Sequence, residues 1–366
     1  MTELERARRD IDEIDRAMAE LFCRRMIASR SIAEYKKEHG LAVYDPAREA
    51  AVIEKASGRV TDQLLREYYV SFLGDLMKTS KAYQTRLMEG MRVAFSGTLG
   101  AFAHIAATRL FPAATAVPYK DFAAAYAAVE KGECDAVVLP VENSYNGEVG
   151  QVTDLMFSGS LYVNRVVEFA IDQDLLVCEG ASLADIKTVV SHPQALGQCA
   201  EYIRAKGFAT EEYGNTALAA KYVAEKGDRS VAAIASAEAA HLFGLTVLER
   251  NINTDRGNTT RFAVMTRAEN ILHGKEGNEL CSLVLFTVKH EAGALAKALD
   301  IVGLHGYNMR VLRSRPVKDK KWSYYFYAEI EGDIRTTAGE DMLRMLGRFC
   351  DRLKPIGTYT KGEKDI

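Results

Sequence analysis

Leu4, Ala7, Ile11, Ile14, Met18 and Leu21 recur in alternating steps of three and four, the seam of a long amphipathic helix of coiled-coil type. The pattern runs past Ile32 and is expected to stop near His39-Gly40, where glycine supplies a C-terminal signal. Asp45-Pro46 reads as an N-cap followed by a proline in the first turn of a second helix. Val60-Thr61-Asp62 supplies the cap of a third, which runs through Tyr68, Phe72, Leu76 and Tyr83. A first helix of about 34 residues extends roughly 50 Å, too far for two shorter helices to cover. Residues 1–90 therefore predict an all-helical domain that needs a partner chain, most simply in an intertwined dimer.

From Arg92 the apolar runs shorten and turn residues separate them. Val93-Ala94-Phe95 predicts a strand, Gly97-Thr98-Leu99-Gly100 a turn, and a helix follows from about His104. Asp135 to Val141 reads as a buried strand of parallel type, and Ile186 to Val190 and Val231 to Ala235 repeat the strand-before-helix order. With a closing strand over Thr260 to Met265, residues 91–268 predict an α/β domain of two lobes. Polar residues 268–278 mark a linker. Beyond it come a strand (Leu280 to Val288), a helix (Ala294 to Leu304) and strands over Met309 to Arg315 and Trp322 to Glu331. A helix over Glu340 to Leu353 and a final strand over Ile356 to Tyr359 complete a ferredoxin-like order across 279–360.

With 48% hydrophobic and 27% charged residues and a net charge of −3, the chain lacks the basic surface a nucleic-acid binder needs. Anionic ligands would have to be drawn by local cations. Cys23, Cys134, Cys178, Cys199, Cys281 and Cys350 lie far apart, without metal-ligand spacing, so no metal is expected. The N-terminus is charged from its third residue, unlike a signal peptide, and the alanine-rich stretch Val231 to Leu248 carries Glu238 and His241, unlike a membrane span. A cytoplasmic location is expected.

Several residues break the helical pattern. Arg25 falls where the seam calls for an apolar residue, Lys36 lies three turns on along nearly the same face, and Ser80 and Gln84 share a face. Singly, each reads as a solvated residue. Together, cations around a would-be core point to an internal site for a polyanion. Arg8, Arg25, Lys36, Asp45, Arg48, Glu49, Ser80 and Gln84 fill the motif positions of the helical chorismate mutases, which residues 1–87 resemble. The resemblance implies an interlocked dimer in which Arg8 reaches the partner's site, and Arg8 and Arg25 clamp the substrate carboxylates with Arg48 and Ser80. Lys36 and Gln84 would face the breaking ether oxygen and Glu49 the ring hydroxyl. A Claisen rearrangement needs no base, metal or cofactor. It needs a folded conformer and donors aimed at the ether oxygen.

Four further pieces resemble prephenate dehydratase: Gly100-Ala101-Phe102-Ala103-His104, Leu139 to Ser144, Ser191 to Leu196 with Gln198-Cys199, and Asn258 to Phe262. Ala103 departs from the family's usual Ser or Thr. Each piece has a bland reading: His192 before a proline can cap a turn, Glu142-Asn143 can be a strand-end pair, and Gly97 to Gly100 is no dinucleotide fingerprint. Their conjunction at strand ends favours a ligand site. The resemblance implies a periplasmic-binding-protein-like fold in which Thr260 hands a proton to the departing hydroxyl of prephenate. Glu142, Asn143, Ser144, His192, Gln194, Thr216 and Arg261 would form the pocket. Residues 280–360 resemble an ACT domain, which implies phenylalanine as effector, bound near Gly293, Ala294, Leu295, Arg313 and Ser314. Arg313 stands where the family usually has Glu. The whole reads as a multidomain enzyme of phenylalanine biosynthesis, acting on chorismate and prephenate as a homodimer or higher oligomer. A non-catalytic sensor of amino acids or small anions, and a dehydratase with an idle mutase domain, are the alternatives.

Overall fold

The computed structural model describes residues 2–255, 257–270, 279–318 and 323–364. The chain divides into two compact units: the residues up to Arg92 with Gly132–Asp135, and the remainder. The first unit holds α1 (Glu3–Glu38), α2 (Pro46–Ser57) and α3 (Gln63–Glu89). Caps written in the sequence set all three starts. Thr2 and Glu5 form a reciprocal capping box, and the Asp45 and Asp62 carboxylates accept from the backbone N–H groups of Arg48 and Leu65. Packing of α1 on α3 buries little beyond Ser29, Ala33, Leu73, Met77, Ser80 and Gln84. Leu4, Ile11, Ile14, Met18 and Leu21 stay 45–60% exposed. A seam that apolar, left facing water, is out of balance for a lone helix trio.

The second unit begins with a lobe made of β1 (Arg92–Ser96), α4 (Phe102–Leu110), β2 (Thr115–Tyr119), α5 (Phe122–Glu130), β3 (Ala136–Asn143), the short β4 (Gly147–Glu148), α6 (Gly150–Ser158) and β5 (Tyr162–Ala170). The chain then crosses to a second lobe: β6 (Asp174–Val177), β7 (Thr188–Ser191), α7 (Pro193–Gln198), α8 (Ala200–Lys206), β8 (Ala209–Glu212), α9 (Thr216–Lys226), β9 (Val231–Ala235), α10 (Ala237–Phe243) and β10 (Thr246–Glu249). It returns to the first lobe as β11 (Thr259–Thr266). The C-terminal module follows as β12 (Leu280–Val288), α11 (Ala294–Leu304), β13 (Asn308–Pro316), β14 (Tyr324–Glu331), α12 (Thr337–Leu346), β15 (Cys350–Thr360) and the two-residue β16 (Glu363–Lys364).

The first lobe's sheet runs β16-β5-β11-β3-β1-β2 with β4 on β3, and the second lobe's runs β10-β6-β9-β7-β8. The expectation that Asp135 to Val141 is a parallel strand holds on one side only: β3 pairs parallel with β1 but antiparallel with β11. The helix expected from His104 starts at Phe102, where Ala101 takes the extended N-cap conformation. The two crossings between lobes are stitched side by side. Ile252 N–H donates to Gln173 O, Gln173 N–H to Asn253 Oδ1, and Asn253 Nδ2 to Ile171 O.

The module's sheet, β13-β14-β12-β15, has the ferredoxin-like order. One element overturns the expectation drawn from sequence. The helix read over Glu340 to Leu353 ends at Leu346, with Gly347 at its C-cap, and Cys350–Thr360 pairs along β12. The helical pattern breaks at Gly347, and the residues beyond it gain a full strand ladder that a continued helix would forgo. Trp322, expected at the start of β14, and most of the expected linker lie outside the described residues.

The module packs directly on the first lobe. Gly357 has φ +133°, and a Cβ there would run into Val163 O of β5, so only glycine lets β15 cross β5 this closely. Elsewhere between the module and the first lobe, Asp154 of α6 accepts from Arg315 Nε (3.0 Å) and Nη2 (3.2 Å) and from Tyr325 Oη (2.7 Å). Lys318 Nζ lies 3.2 Å from the same carboxylate. Burial alone would raise the Asp154 pKa, but hydrogen bonds from Arg315, Tyr325 and Lys318 outweigh it and hold the carboxyl below its ordinary range.

Gly357→Ala is expected to cost the second unit about 2 kcal/mol or more, read as a lowered thermal transition with that of the helical unit unmoved. For Asp154, a folded pKa below the unfolded one means its stabilisation is complete above the ordinary carboxylate range and is lost as pH falls through the lowered value. The stability gap between wild type and Asp154→Asn should therefore be full at neutral pH and close on acidification; a gap independent of pH contradicts this assignment.

Candidate functional site

In the helical unit, the expected polar residues are spread over α1, α2, α3 and the loop between α1 and α2, and Arg25 and Ser80 are in direct side-chain contact. Arg25 donates to Ser80 Oγ, which in turn donates to Leu76 O. Lys36 Nζ donates to Val43 O at 2.7 Å, turning the ammonium towards the loop that leads to α2. Glu49 pairs with Lys81 at 2.8 Å, and Lys81 also lies over the Tyr44 ring. Gln84 is buried, and its Oε1 has no hydrogen-bond partner among the described residues. Burial lowers the Arg25 pKa without bringing it near neutrality. Asp45 is engaged as the cap of α2, while Arg8 and Arg48 are exposed. The groove beside Arg25, about 630 Å³, is lined by Met18, Leu21, Phe22, Phe72 and Leu76. That lining suits the apolar face of another helix, not a dianion.

In the second unit, a cleft of about 380 Å³ takes lining from both lobes. Asn143, Thr260 and Phe262 enter from the first lobe, His192, Gln194 and Thr216 from the second, and Gln173 from the crossing between them. Thr260 is 8% exposed at the start of β11, directly opposite Asn143 of β3. Asn143 Nδ2 reaches Thr260 Oγ1 (3.0 Å), Asn258 Oδ1 (2.8 Å) and Thr259 O (3.1 Å). The Asn143 Oδ1 accepts from the backbone N–H groups of Tyr145 and Asn146, which fixes the amide's orientation. Because Thr260 Oγ1 accepts from Asn143, its own hydrogen is left to point elsewhere, and no acceptor for it occurs among the described residues. A hydroxyl held in this way keeps its hydrogen available to a further acceptor.

Among the described residues, the cleft lining contains neither carboxylate nor lysine nor arginine. The lining includes instead residues from the N-terminal turns of several helices. Phe102 and Ala103 come from the start of α4, Phe122 from that of α5, Val149 from the N-cap of α6, Gln194 from α7 and Thr216 from α9. Ala101 and Val149 offer no side-chain cap, so the first N–H groups of α4 and α6 lack that partner. Several helix N-termini around one cavity favour anions without a formal cation. His192 fulfils its bland reading and lines the cleft as well, since its Nδ1 accepts from Gln194 N at 3.3 Å and caps α7. His104, on α4 and packed against Phe95, is not in the lining; its Nδ1 accepts from Gly100 N at 3.1 Å, and burial lowers its pKa.

Three residues expected in the pocket are elsewhere. Side chains alternate along a strand, so Thr260 and Phe262 face the cleft while Arg261 faces away, as does its cross-strand partner Glu142. Arg261 binds Glu142 (2.9 Å), and its two terminal nitrogens bind Glu329 of β14 in parallel (2.9 and 3.1 Å). Burial would lower the pKa of Arg261 and raise that of Glu329, yet their mutual pairing wins and keeps both charged. Ser144 accepts from Thr259 N (2.9 Å) and donates to Gly257 O (3.3 Å), so it secures the loop before Thr260 from outside the cleft.

Arg313 is also displaced from its expected role. Opposite residues in a ladder share a face, and Arg313 pairs with Tyr327 whereas Ser314 pairs with Phe326. Phe326 packs in the core beneath α11 and α12 together with Leu295. Ser314 therefore lies on the same side of the sheet as Gly293, Ala294 and Leu295, and Arg313 lies on the other, bonded to Glu142. Sequence reading overlooked Gln173 and Asn215. Gln173 is the middle of three polar residues between Ile171 and Leu175, which read as a loop, and Asn215 caps α9 beside the cleft.

Residues 93–270 match the family model of prephenate dehydratase and residues 7–85 that of chorismate mutase type II. The bifunctional chorismate mutase/prephenate dehydratase of Neisseria gonorrhoeae is 33% identical over 96% of this chain and 95% of its own length. The chloroplastic arogenate dehydratase/prephenate dehydratase 2 of Arabidopsis thaliana is 34% identical over 74% of this chain and 72% of its own. A crystal structure of prephenate dehydratase in complex with L-Phe from Arthrobacter aurescens covers 74% of this chain and 90% of that one, with a TM-score of 0.67 and 27% identity.

Proposed function

This chain belongs to the bifunctional chorismate mutase/prephenate dehydratase family, and we propose that it carries out both reactions of that name in phenylalanine biosynthesis at the two places described above. Chorismate is rearranged to prephenate in the helical unit, and prephenate becomes phenylpyruvate in the two-lobed cleft.

In the helical unit the reading assigns Arg25 with Ser80 to a substrate carboxylate, Lys36 and Gln84 to the ether oxygen, and Glu49 to the ring hydroxyl. The direct contact of Arg25 with Ser80 supports it; in Gln84 the buried atom without a partner among the described residues is the acceptor Oε1, so its Nε2 would be the atom that faces the ether oxygen. Arg8 and Arg48 are exposed in one chain, so their part requires a second copy laid along α1. The uncovered Leu4-to-Leu21 seam supports that homodimer. Binding by residues of two chains would fold the substrate towards its reactive conformer, and Lys36 would stabilise charge building on the ether oxygen.

The observation that carries the dehydratase reading is Thr260 Oγ1, held as an acceptor by Asn143 with its hydrogen free. As the carboxylate leaves as CO₂, its bonding electrons complete the aromatic ring and expel the ring hydroxyl, which departs as water once Thr260 donates a proton. Solvent restores that proton afterwards. Helix N-termini would hold the two carboxylates. The lack of a carboxylate in the lining among the described residues also bears on substrate choice: arogenate has an ammonium group where prephenate has a keto group, and none of these lining residues offers it a counter-charge.

The C-terminal module is read as an ACT domain binding phenylalanine at the Gly293-Ala294-Leu295 start of α11, with Ser314 on the same side. The diversion of Arg313 to Glu142 supports this, since it removes a cation that would repel the effector's ammonium group.

Purified protein given chorismate should form prephenate and then phenylpyruvate, at a rate that added phenylalanine reduces. Thr260→Ala should abolish phenylpyruvate formation with the mutase rate intact; retained dehydratase activity refutes the donor role. Lys36→Ala should lower mutase kcat by about a hundredfold or more. Arogenate should react at least about tenfold more slowly than prephenate at equal concentration, a comparison that product chromatography settles.

A further inference from the structure

Thr260 faces the cleft and Arg261, one residue on, faces the C-terminal module. The strand ladder is irregular at this point: Arg261 stands opposite Glu142 and Phe262 opposite Pro140, so Val141 has no partner in β11. Such a bulge lets a strand bend and twist locally. It adjoins the Thr260–Asn143 pair, where the direction of one hydroxyl matters. An anchor is present behind it. The Glu329 carboxylate, 1% exposed, takes both terminal nitrogens of Arg261 and is itself oriented by Tyr327 Oη (2.8 Å) and Tyr359 Oη (3.1 Å). Tyr359 Oη also accepts from Arg261 Nη2 at 2.9 Å. Two parallel bonds to a planar guanidinium fix direction as well as distance.

We propose that Glu329, from the C-terminal module, is a positioning residue of the dehydratase cleft: by clamping Arg261 from behind, it holds the end of β11, where it runs opposite the bulge of β3, so that Thr260 presents its hydroxyl to substrate. The inference rests on Thr260 being the proton donor. It makes the module part of the reaction site's framework, whether or not any effector is bound. Because Thr260 acts on the leaving hydroxyl and helix N-termini hold the carboxylates, a misdirected Thr260 should slow turnover more than it weakens binding.

The test uses the full chain and follows dehydratase kcat and KM together with mutase kcat. Glu329→Gln keeps the shape of the side chain but removes one of Arg261's counter-charges. It should lower dehydratase kcat at least about tenfold, with KM for prephenate within about threefold and mutase kcat unchanged. Tyr359→Phe takes one hydroxyl from the same carboxylate and should lower kcat severalfold, which keeps the question open to experiment if Glu329→Gln fails to fold. Lys354→Met removes a different module contact, in which Lys354 Nζ donates to Met156 O and Gly159 O, and should leave dehydratase kcat unchanged. A folded Glu329→Gln protein with kcat within about twofold of wild type overturns the proposal, as does an equal loss in Lys354→Met, which would mark a general docking effect. If Glu329→Gln does not fold, an unchanged kcat in Tyr359→Phe overturns it. Thr260→Ala, run alongside, separates the two ideas. An inactive Thr260→Ala with a fully active Glu329→Gln defeats the clamp alone, and an active Thr260→Ala defeats the donor assignment and the clamp together.

Discussion

A guanidinium taken out of water has to find its counter-charge where it is buried, and Arg261 finds it in another part of the fold. Its own lobe supplies Glu142, but the bidentate partner, Glu329, belongs to the C-terminal module. Removing one member of such a pair typically costs about 3–5 kcal/mol, because the other is left buried and uncompensated. The module and the first lobe are thus bound by a term that neither can satisfy alone. The Gly357–Val163 crossing, the Asp154–Arg315 pair and the two-residue addition of β16 to β5 all act on the same side. They explain why the module packs as part of the second unit and not as a separate body.

The two sites hold similar anions by different physical means on the proposed reading. The helical unit uses full charges, and its cations are tolerable because most remain near solvent or beside a partner. The two-lobed cleft has no lysine, arginine or carboxylate in its lining among the described residues, and on this reading relies on the first turns of helices from both lobes. Helix N-termini suit a site that opens and closes. Their N–H groups are covalently fixed, need no side-chain ordering, and leave no bare ammonium behind when the ligand departs.

Much of the architecture was legible in the chain because its signals are local. Asp45-Pro46 and Asp62 mark helix starts through one side chain and one turn, and both appear where the pattern places them. The strand Val231 to Ala235 and the helix Ala294 to Leu304 are equally plain. Signals that depend on distant partners were not. Cys350 to Leu353 reads as a helical continuation until β12 is there to pair with it. Glu142, Ser144 and Arg261 adjoin true cleft residues in contiguous motifs, and a strand's period of two sends neighbours to opposite faces. Arg313 could be placed only by the register of β13 against β14. Gln173 left no trace, since between Asp172 and Asp174 it reads as one more loop residue, and its place depends on a crossing that no short window contains.

The position of β11 in its sheet has a bearing on how the molecule comes to be folded. It lies between β3 and β5, yet the whole second lobe separates it from both in the chain. During synthesis those two strands must wait, each with an open edge, while nearly ninety residues emerge between β5 and the strand that fills the gap. Closure of that gap is a long-range event of the slow kind, and until it happens the hydroxyl of Thr260 has no place in the molecule. A nascent or partly unfolded chain should therefore hold a finished second lobe beside an unzipped first one, and acquire its lyase chemistry in a single late step.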